Sequence, residues 1–265
     1  MASYFDLYDE GRIALFKLQE GENDARLLLL WACDTDMTHV LTEYTTSVVP
    51  EENVKKYRDA IALRKSGMPL QYITHESDFC GLHLYVDENV LVPRFDTEVL
   101  VEKVLSDNRD PETSVLDMCT GSGCILAAAL RLSSNRKGTA VELFPATAKV
   151  AAENFSALGL DVETIVGDAT TDLFGEEVTF DVITANPPYV TADEMNDLEP
   201  ELSFEPHAAL TDDGDGLSVI RKIIEVYKNH LASDGAMIIE HGYRQSDSVI
   251  EIANENNLSA EVLTD

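Results

Sequence analysis

From residue 96 onward the chain alternates short apolar runs with amphipathic ones, and few folds accept that alternation. Residues 114–117, 139–143, 162–166, 180–185 and 236–240 read as buried strands. Residues 97–105, 124–132, 146–158 and 217–230 read as helices, with apolar side chains at helical spacing. Strand–helix alternation of this kind predicts an α/β fold, a mostly parallel sheet with helices on both faces.

The part before it differs. Residues 1–74 read as a small helical domain. The run 27–32 suits a buried helix, and Val54, Tyr57, Ile61 and Leu63 recur at helical spacing. Pro50 followed by Glu51 and Glu52 marks a helix start, with acids at the positive dipole end. Gly67-Met68-Pro69 ends the pattern. Residues 75–95 turn β-rich, and 82–86 with 89–93 predict a β-hairpin linker. Three parts follow: a helical domain at 1–74, a hairpin at 75–95 and an α/β domain at 96–265.

Charge narrows the choice of partners. The 49 acids and 19 Lys and Arg give a net charge of −30. Residues 1–74 hold 12 acids and 8 bases, and residues 75–265 hold 37 and 11. A surface so acidic repels phosphate backbones, so no direct nucleic-acid partner is expected. Solubility is the plain reading of the excess. The four cysteines form no C-x-x-C pair, and no His sits at zinc-ligand spacing from them; free thiols and no metal are expected. The apolar runs are too short to span a bilayer, and the first residues lack a signal-peptide pattern. The reading is a cytoplasmic monomer with no membrane partner.

Two strand ends carry the chemistry. Asp117-Met118-Cys119-Thr120-Gly121-Ser122-Gly123 follows one strand and opens a helix. Gly121 and Gly123 allow a tight turn and close approach of a ligand. The third position of a G-x-G-x-x-G dinucleotide fingerprint is Leu126, so a pyrophosphate ligand fits poorly. An acid followed by G-x-G suits S-adenosylmethionine, with Asp117 facing its ammonium directly or through water. Glu142 ends the next strand, where an acid can accept both ribose hydroxyls. Asp168 follows the third strand, within reach of an adenine amino group. Any one of these acids is equally a cap or a solvated loop residue. Three at successive strand ends, beside a G-x-G loop, make a ligand site the better reading.

The fourth strand end is Asn186-Pro187-Pro188-Tyr189. The prolines remove two N–H donors and fix the backbone. The carbonyls of Asn186 and Pro187 and the Asn186 side-chain oxygen are left as acceptors for a planar NH₂ group, on which Tyr189 could stack. An amide nitrogen is a poor nucleophile. Gripping both its hydrogens aligns it with an incoming methyl and lets positive charge develop.

These residues resemble the HemK/PrmC protein-glutamine methyltransferases. Pro69-Leu70-Gln71-Tyr72-Ile73-Thr74 is similar to the family's entry to the hairpin. Pro93-Arg94-Phe95-Asp96-Thr97-Glu98 is similar to its Pro-Arg-x-acid-Thr-Glu linker. Glu205-Pro206-His207-Ala208-Ala209-Leu210, Gly214-Asp215-Gly216-Leu217 and Glu240-His241-Gly242 are similar too. The resemblance implies a Rossmann-like class I methyltransferase sheet and methylation of the glutamine of the Gly-Gly-Gln motif in class I peptide chain release factors. It implies S-adenosylmethionine contacts at Asp117, Cys119, Thr120, Gly121, Ser122, Gly123, Glu142, Asp168, Ala169 and Asn186. It places the glutamine amide at Asn186, Pro187, Pro188 and Tyr189, and assigns docking of the protein substrate to the N-terminal helices. Arg94 either shapes the substrate site or pairs within the linker, and His241 reads as structural. Many relatives carry an aromatic where Ala169 stands, so adenine packing is expected to be weaker or to come from another residue. They also continue past residue 265 with a final strand, so one strand of the sheet is expected to be missing.

Three other readings compete. A ribosomal-protein glutamine methyltransferase shares almost every motif. An adenine-N6 nucleic-acid methyltransferase shares Asn-Pro-Pro-Tyr, but the acidity opposes it. A non-catalytic binding module is the third. The Pro-Arg-Phe-Asp-Thr-Glu run and the helical N-terminus favour the release factor.

Overall fold

The computed structural model describes residues 2–106, 113–133 and 137–264. The chain divides into two compact units, Met1–His75 and Glu76–Asp265.

The first unit is helical: α1 (Tyr4–Ala14), α2 (Gly21–Cys33), α3 (Met37–Thr42), α4 (Glu51–Lys65) and α5 (Leu70–Thr74). Ser3 and Asp6 form a reciprocal capping box that starts α1. Pro50 caps α4, with Glu51 and Glu52 in its first turn. Leu7, Leu28, Leu29, Tyr57 and Ile61 form the core. The stripe expected on α4 shifts at its end, because Leu63 is 42% exposed and Arg64 turns inward instead. Arg64 Nε donates to Asp24 Oδ2 at 2.7 Å and Arg64 Nη1 donates to the Met68 carbonyl at 3.1 Å. Leu27, inside the expected buried run, is exposed, whereas Leu28, Leu29 and Ala32 are buried. A helix buries a stripe, so an unbroken apolar run leaves some members outside.

The second unit opens with a hairpin of β1 (Glu76–Phe79) and β2 (Leu82–Tyr85). The hairpin expected from 82–86 and 89–93 is therefore displaced by one strand. Cys80 and Gly81 form its two-residue turn, both at positive φ (49° and 74°), as the right-handed twist of a hairpin requires. Residues 89–93 form no strand, although Val90 and Val92 are buried.

After α6 (Glu98–Ser106) come β3 (Ser114–Met118), α7 (Cys124–Arg131), β4 (Lys137–Glu142), α8 (Pro145–Ala157), β5 (Val162–Val166) and β6 (Phe180–Ala185). α9 (His207–Leu210), α10 (Ser218–Tyr227), β7 (Leu231–Ile239) and α11 (Ser246–Glu255) complete the unit. The sheet is parallel throughout, in the order β5-β4-β3-β6-β7. β7 begins earlier than expected because a bulge lies between the Phe180–Leu231 and Val182–Ala236 pairs. α11 was not anticipated.

Both faces are covered. Val115, Ala140 and Val182 pack with α6, α7 and α8. Their strand neighbours Leu116, Val141 and Ile183 pack with Ile223 and Tyr227 of α10. Alternate side chains of one strand thus enter two cores, which is why these strands read as continuous apolar runs. Residues 259–264 are exposed and lie outside the sheet.

Candidate functional site

Strand order reverses between β3 and β6, and the carboxyl ends on either side of that switch are where such sheets bind ligands. The loops after β3, β4, β5 and β6 converge there on a cavity of about 320 Å³. Its lining includes Cys119, Thr120, Gly121, Ser122, Glu142, Asp168, Ala169 and Asn186. Arg94, Thr97, Phe144, Pro188, Pro206, Ala208 and Ala209 also line it.

The loop after β3 is built from left-handed backbone. Cys119, Gly121 and Gly123 lie at φ 57°, 58° and 82°. A Cβ on Gly123 would meet the Phe155 ring at 2.7 Å, so this glycine lets α7 pack on α8. A Cβ on Gly121 would meet only the Cys119 carbonyl oxygen, at 4.0 Å, so that face of the loop is open. The Thr120 N–H donates to the Val141 carbonyl at 3.1 Å and ties the loop to β4. Asn154 of α8 braces it from behind. Its Nδ2 donates to the carbonyls of Ser122 (2.8 Å) and Tyr85 (2.9 Å), and its Oδ1 accepts from the Tyr85 N–H (2.8 Å). One buried amide thus joins the hairpin to the loop.

The acids differ in where they point. Asp117 is fully buried, and its two oxygens accept from the hydroxyls of Thr120 (2.6 Å) and Thr184 (2.7 Å). Burial pushes its carboxyl up to about 6, against the pull of those two hydroxyls. Asp117 is not part of the cavity lining and meets it only through Thr120, which does line it. Glu142 does line it. Its oxygens accept from the N–H groups of Gly121 and Phe144, both at 3.1 Å. Burial raises its pKa, and those backbone donors oppose the rise. Two N–H groups leave about two of a carboxylate's four lone-pair positions for a ligand. Asp168 is exposed at the rim, with Oδ1 accepting from the Thr170 N–H at 2.8 Å and the Thr170 hydroxyl at 2.7 Å. Ala169 is buried beside it. Phe144 also lines the cavity and is 46% exposed, an aromatic face at a strand end that the sequence reading passed over.

Asn186 and Pro188 line the cavity, whereas Pro187 and Tyr189 are outside its lining. Asn186 Nδ2 donates to Thr97 Oγ1 at 3.3 Å. The Tyr189 hydroxyl donates to Glu240 Oε1 at 3.0 Å. Gln245 Nε2 donates to the Tyr189 carbonyl at 3.0 Å, which fixes the end of the turn. His241 contacts its own neighbour, Nδ1 to the Gly242 carbonyl at 2.9 Å.

Arg94 pairs with Glu205, Nη2 to Oε1 at 2.6 Å. The partner lies not in the linker but 111 residues away. The Val190 N–H donates to the Leu210 carbonyl at 2.9 Å, which draws residues 206–210 against the turn after β6. Glu205 Oε2 is buried and has no hydrogen-bond partner. Burial pushes the Glu205 carboxyl up to about 7, against the pull of Arg94. A raised carboxyl contributes stability below its unfolded value and loses it as pH rises through the folded one. The window here is about pH 4.5 to 7. Relative to the wild type, Glu205→Gln is therefore expected to gain stability between pH 5 and pH 8, on the order of 1–3 kcal/mol. Urea denaturation of both proteins at the two pH values checks this, and parallel behaviour would refute it.

Asp117, Glu142 and Glu205 are buried around the cavity, and Glu240 stands beside it with its carboxyl likewise raised by burial. Buried carboxylates lacking full compensation favour a cationic ligand. Among the described residues no cluster of His, Cys, Asp or Glu suits a metal. No helix among them is long and apolar enough to cross a membrane.

The chain matches two family models: PrmC N-terminal domain over residues 6–74, and methyltransferase small domain over residues 94–233. It is 35% identical over 222 residues to the release factor glutamine methyltransferase of Streptococcus pneumoniae (strain ATCC BAA-255 / R6), covering 82% of this chain and 76% of the relative. It is 36% identical over 252 residues to the release factor glutamine methyltransferase of Cereibacter sphaeroides, covering 94% and 88%. A solved ribosomal protein L11 methylase from Lactobacillus delbrueckii subsp. bulgaricus superposes with a TM-score of 0.47 at 19% identity, over 68% of this chain and 79% of that one. That likeness is too loose to bear on function.

Proposed function

The chain belongs to the release factor glutamine methyltransferase family, and we propose that it methylates the side-chain amide nitrogen of the glutamine in the Gly-Gly-Gln motif of class I peptide chain release factors. The observation that carries this reading is one cavity lined by both the Gly121 loop with Glu142 and the turn with Asn186. A nucleoside-binding edge and an amide-gripping edge face the same space.

The residues fit S-adenosylmethionine. The open face of Gly121 admits close backbone approach. Glu142 is oriented by two backbone donors and keeps acceptor capacity for the ribose hydroxyls. The surrounding carboxylates suit a cation, and Phe144 offers the apolar wall that Ala169 does not. When bound, S-adenosylmethionine supplies a methyl group activated by a positively charged sulfur. Asp117 acts one step back by holding Thr120, and Asp168 stands at the adenine end.

Asn186 Oδ1 accepts one N–H bond of the substrate glutamine, and the backbone carbonyl of Asn186 or Pro187 accepts the other. They hold its nitrogen in line and stabilise positive charge as it develops there. As the new N–C bond formed, the methyl–sulfur bond would break, the neutral thioether S-adenosylhomocysteine would leave, and one N–H proton would pass to water. Pro188 packs against the amide, and Arg94 with Glu205 shapes the entrance on the substrate side. The N-terminal unit docks the release factor. The protein acts as a monomer in the cytoplasm without a nucleic-acid or membrane partner.

The test is incubation of the full chain with S-adenosylmethionine and an unmethylated release factor, followed by peptide mass spectrometry. A gain of one methyl on the motif glutamine is expected. No gain, with cofactor binding shown calorimetrically, would overturn the reading. Ribosomal protein and DNA in parallel tubes separate the sister activities. Glu142→Ala is expected to weaken S-adenosylmethionine binding by about 1–3 kcal/mol, the range for a charged hydrogen-bond acceptor. Unchanged affinity by titration calorimetry would remove Glu142 from the site.

A further inference from the structure

Glu240 follows β7 and has no role in the chemistry described so far. Its N–H donates to the Ala185 carbonyl at 2.9 Å, which sets it beside the start of the Asn186 turn. Its carboxylate accepts from the Tyr189 hydroxyl at 3.0 Å. Its other oxygen, Oε2, is buried and has no hydrogen-bond partner, while the neighbouring Thr97 and Asn186 side chains oppose the effect of burial on this carboxyl. Asn186 Nδ2 in turn donates to Thr97 Oγ1 at 3.3 Å.

An ionised carboxylate only accepts hydrogen bonds, whereas a hydroxyl both donates and accepts and an amide presents either end. An acceptor-only group next to Thr97 therefore gives the network a direction. The Thr97 hydrogen turns toward Glu240, its lone pair faces Asn186, and Asn186 must offer its NH₂. Its carbonyl oxygen is then left for the cavity. In the reversed arrangement two acceptors would face each other, which a buried group tolerates badly.

We infer that Glu240 is a positioning residue: held by the Tyr189 hydroxyl and acting through Thr97, it fixes the Asn186 amide with its nitrogen inward and its oxygen toward the substrate amide. This rests on the proposed role of Asn186 as the grip on the methyl acceptor. The inference adds a device that makes one of the two amide orientations the resting state.

Glu240→Gln is the test, because glutamine keeps the shape and presents both a donor and an acceptor. Single-turnover methyl transfer by this variant is expected to slow about tenfold or more, within the range for a misplaced electrostatic group. S-adenosylmethionine affinity is expected to stay within about twofold, the usual tolerance for an independent site. In an Asn186→Ala background, Glu240→Gln is expected to change the rate by less than about twofold, because it acts through that side chain. A purely structural role would multiply the two losses.

A second readout needs no substrate. The side-chain NH₂ resonances of Asn186 are identified by their loss in Asn186→Ala. Their hydrogen exchange is expected to be slow in the wild type and faster in Glu240→Gln. Identical exchange in the two proteins, or multiplicative rate losses, would overturn the inference. A wild-type enzyme inactive on the release factor would overturn the functional reading instead, and the exchange measurement would still decide the orientation. If Glu240→Gln does not fold, Thr97→Val breaks the same relay and carries the same expectations.

Discussion

Asn186→Ala is expected to lower the single-turnover rate of methyl transfer by about 10²–10³, roughly 3–4 kcal/mol, the loss typical of removing one preorganised electrostatic partner. The substrate nitrogen shares its lone pair with its own carbonyl. It reacts only when both hydrogens are held and the growing positive charge meets an acceptor. Alanine removes one of the two proposed acceptors and leaves the Thr97 hydroxyl without the donor it accepts at 3.3 Å. S-adenosylmethionine binding should survive in part, because Glu142 and the Gly121 loop stand on the other side of the switch point. Calorimetry with the cofactor and quench-flow mass analysis of the peptide separate the two effects. A variant that transfers at the wild-type rate would remove Asn186 from the chemistry.

Asp24→Ala is expected to destabilise the helical unit by about 3–5 kcal/mol, the cost of leaving one partner of a buried ion pair alone. Asp24 and Arg64 have side chains 6% and 7% exposed and meet at 2.7 Å. The guanidinium is also bonded to the Met68 carbonyl at 3.1 Å, so it cannot simply swing into solvent without losing that contact. Trp31 is the only tryptophan of the chain and lies on α2 in the same unit. Its fluorescence during urea denaturation therefore follows this unit specifically. A midpoint unmoved by the substitution would mean that the pair contributes nothing net. Replacing both partners by apolar residues of similar size should recover most of the loss, since no charge is then stranded.

Much of the fold is legible in short windows. The alternation of apolar runs predicts the parallel sheet, and strand ends carrying Gly121, Glu142, Asp168 and Asn186 mark the loops that gather at its carboxyl edge. The hairpin is misplaced because Cys80-Gly81 is a weak turn signal, and its strands are only four residues each. Periodicity needs more length than that to speak. α11 carries Val249, Ile252 and Ala253 at helical spacing, so its signal is present in the sequence although it lies outside the expected elements.

What short windows do not carry is where a side chain points. Asp117 and Glu142 read alike in the sequence, each an acid at a strand end. In the folded sheet Asp117 is turned into Thr184, 67 residues on, whereas Glu142 lies over Gly121 and faces the cavity. Arg94 finds Glu205, and Tyr189 finds Glu240, 51 residues away. Such partners are set by strand order and register, which bring distant carboxyl ends within hydrogen-bond reach once the sheet has formed. Composition and local pattern are properties of neighbours along the chain, so they name the chemical groups. The direction each group faces is a property of neighbours across the sheet, and it exists only after folding.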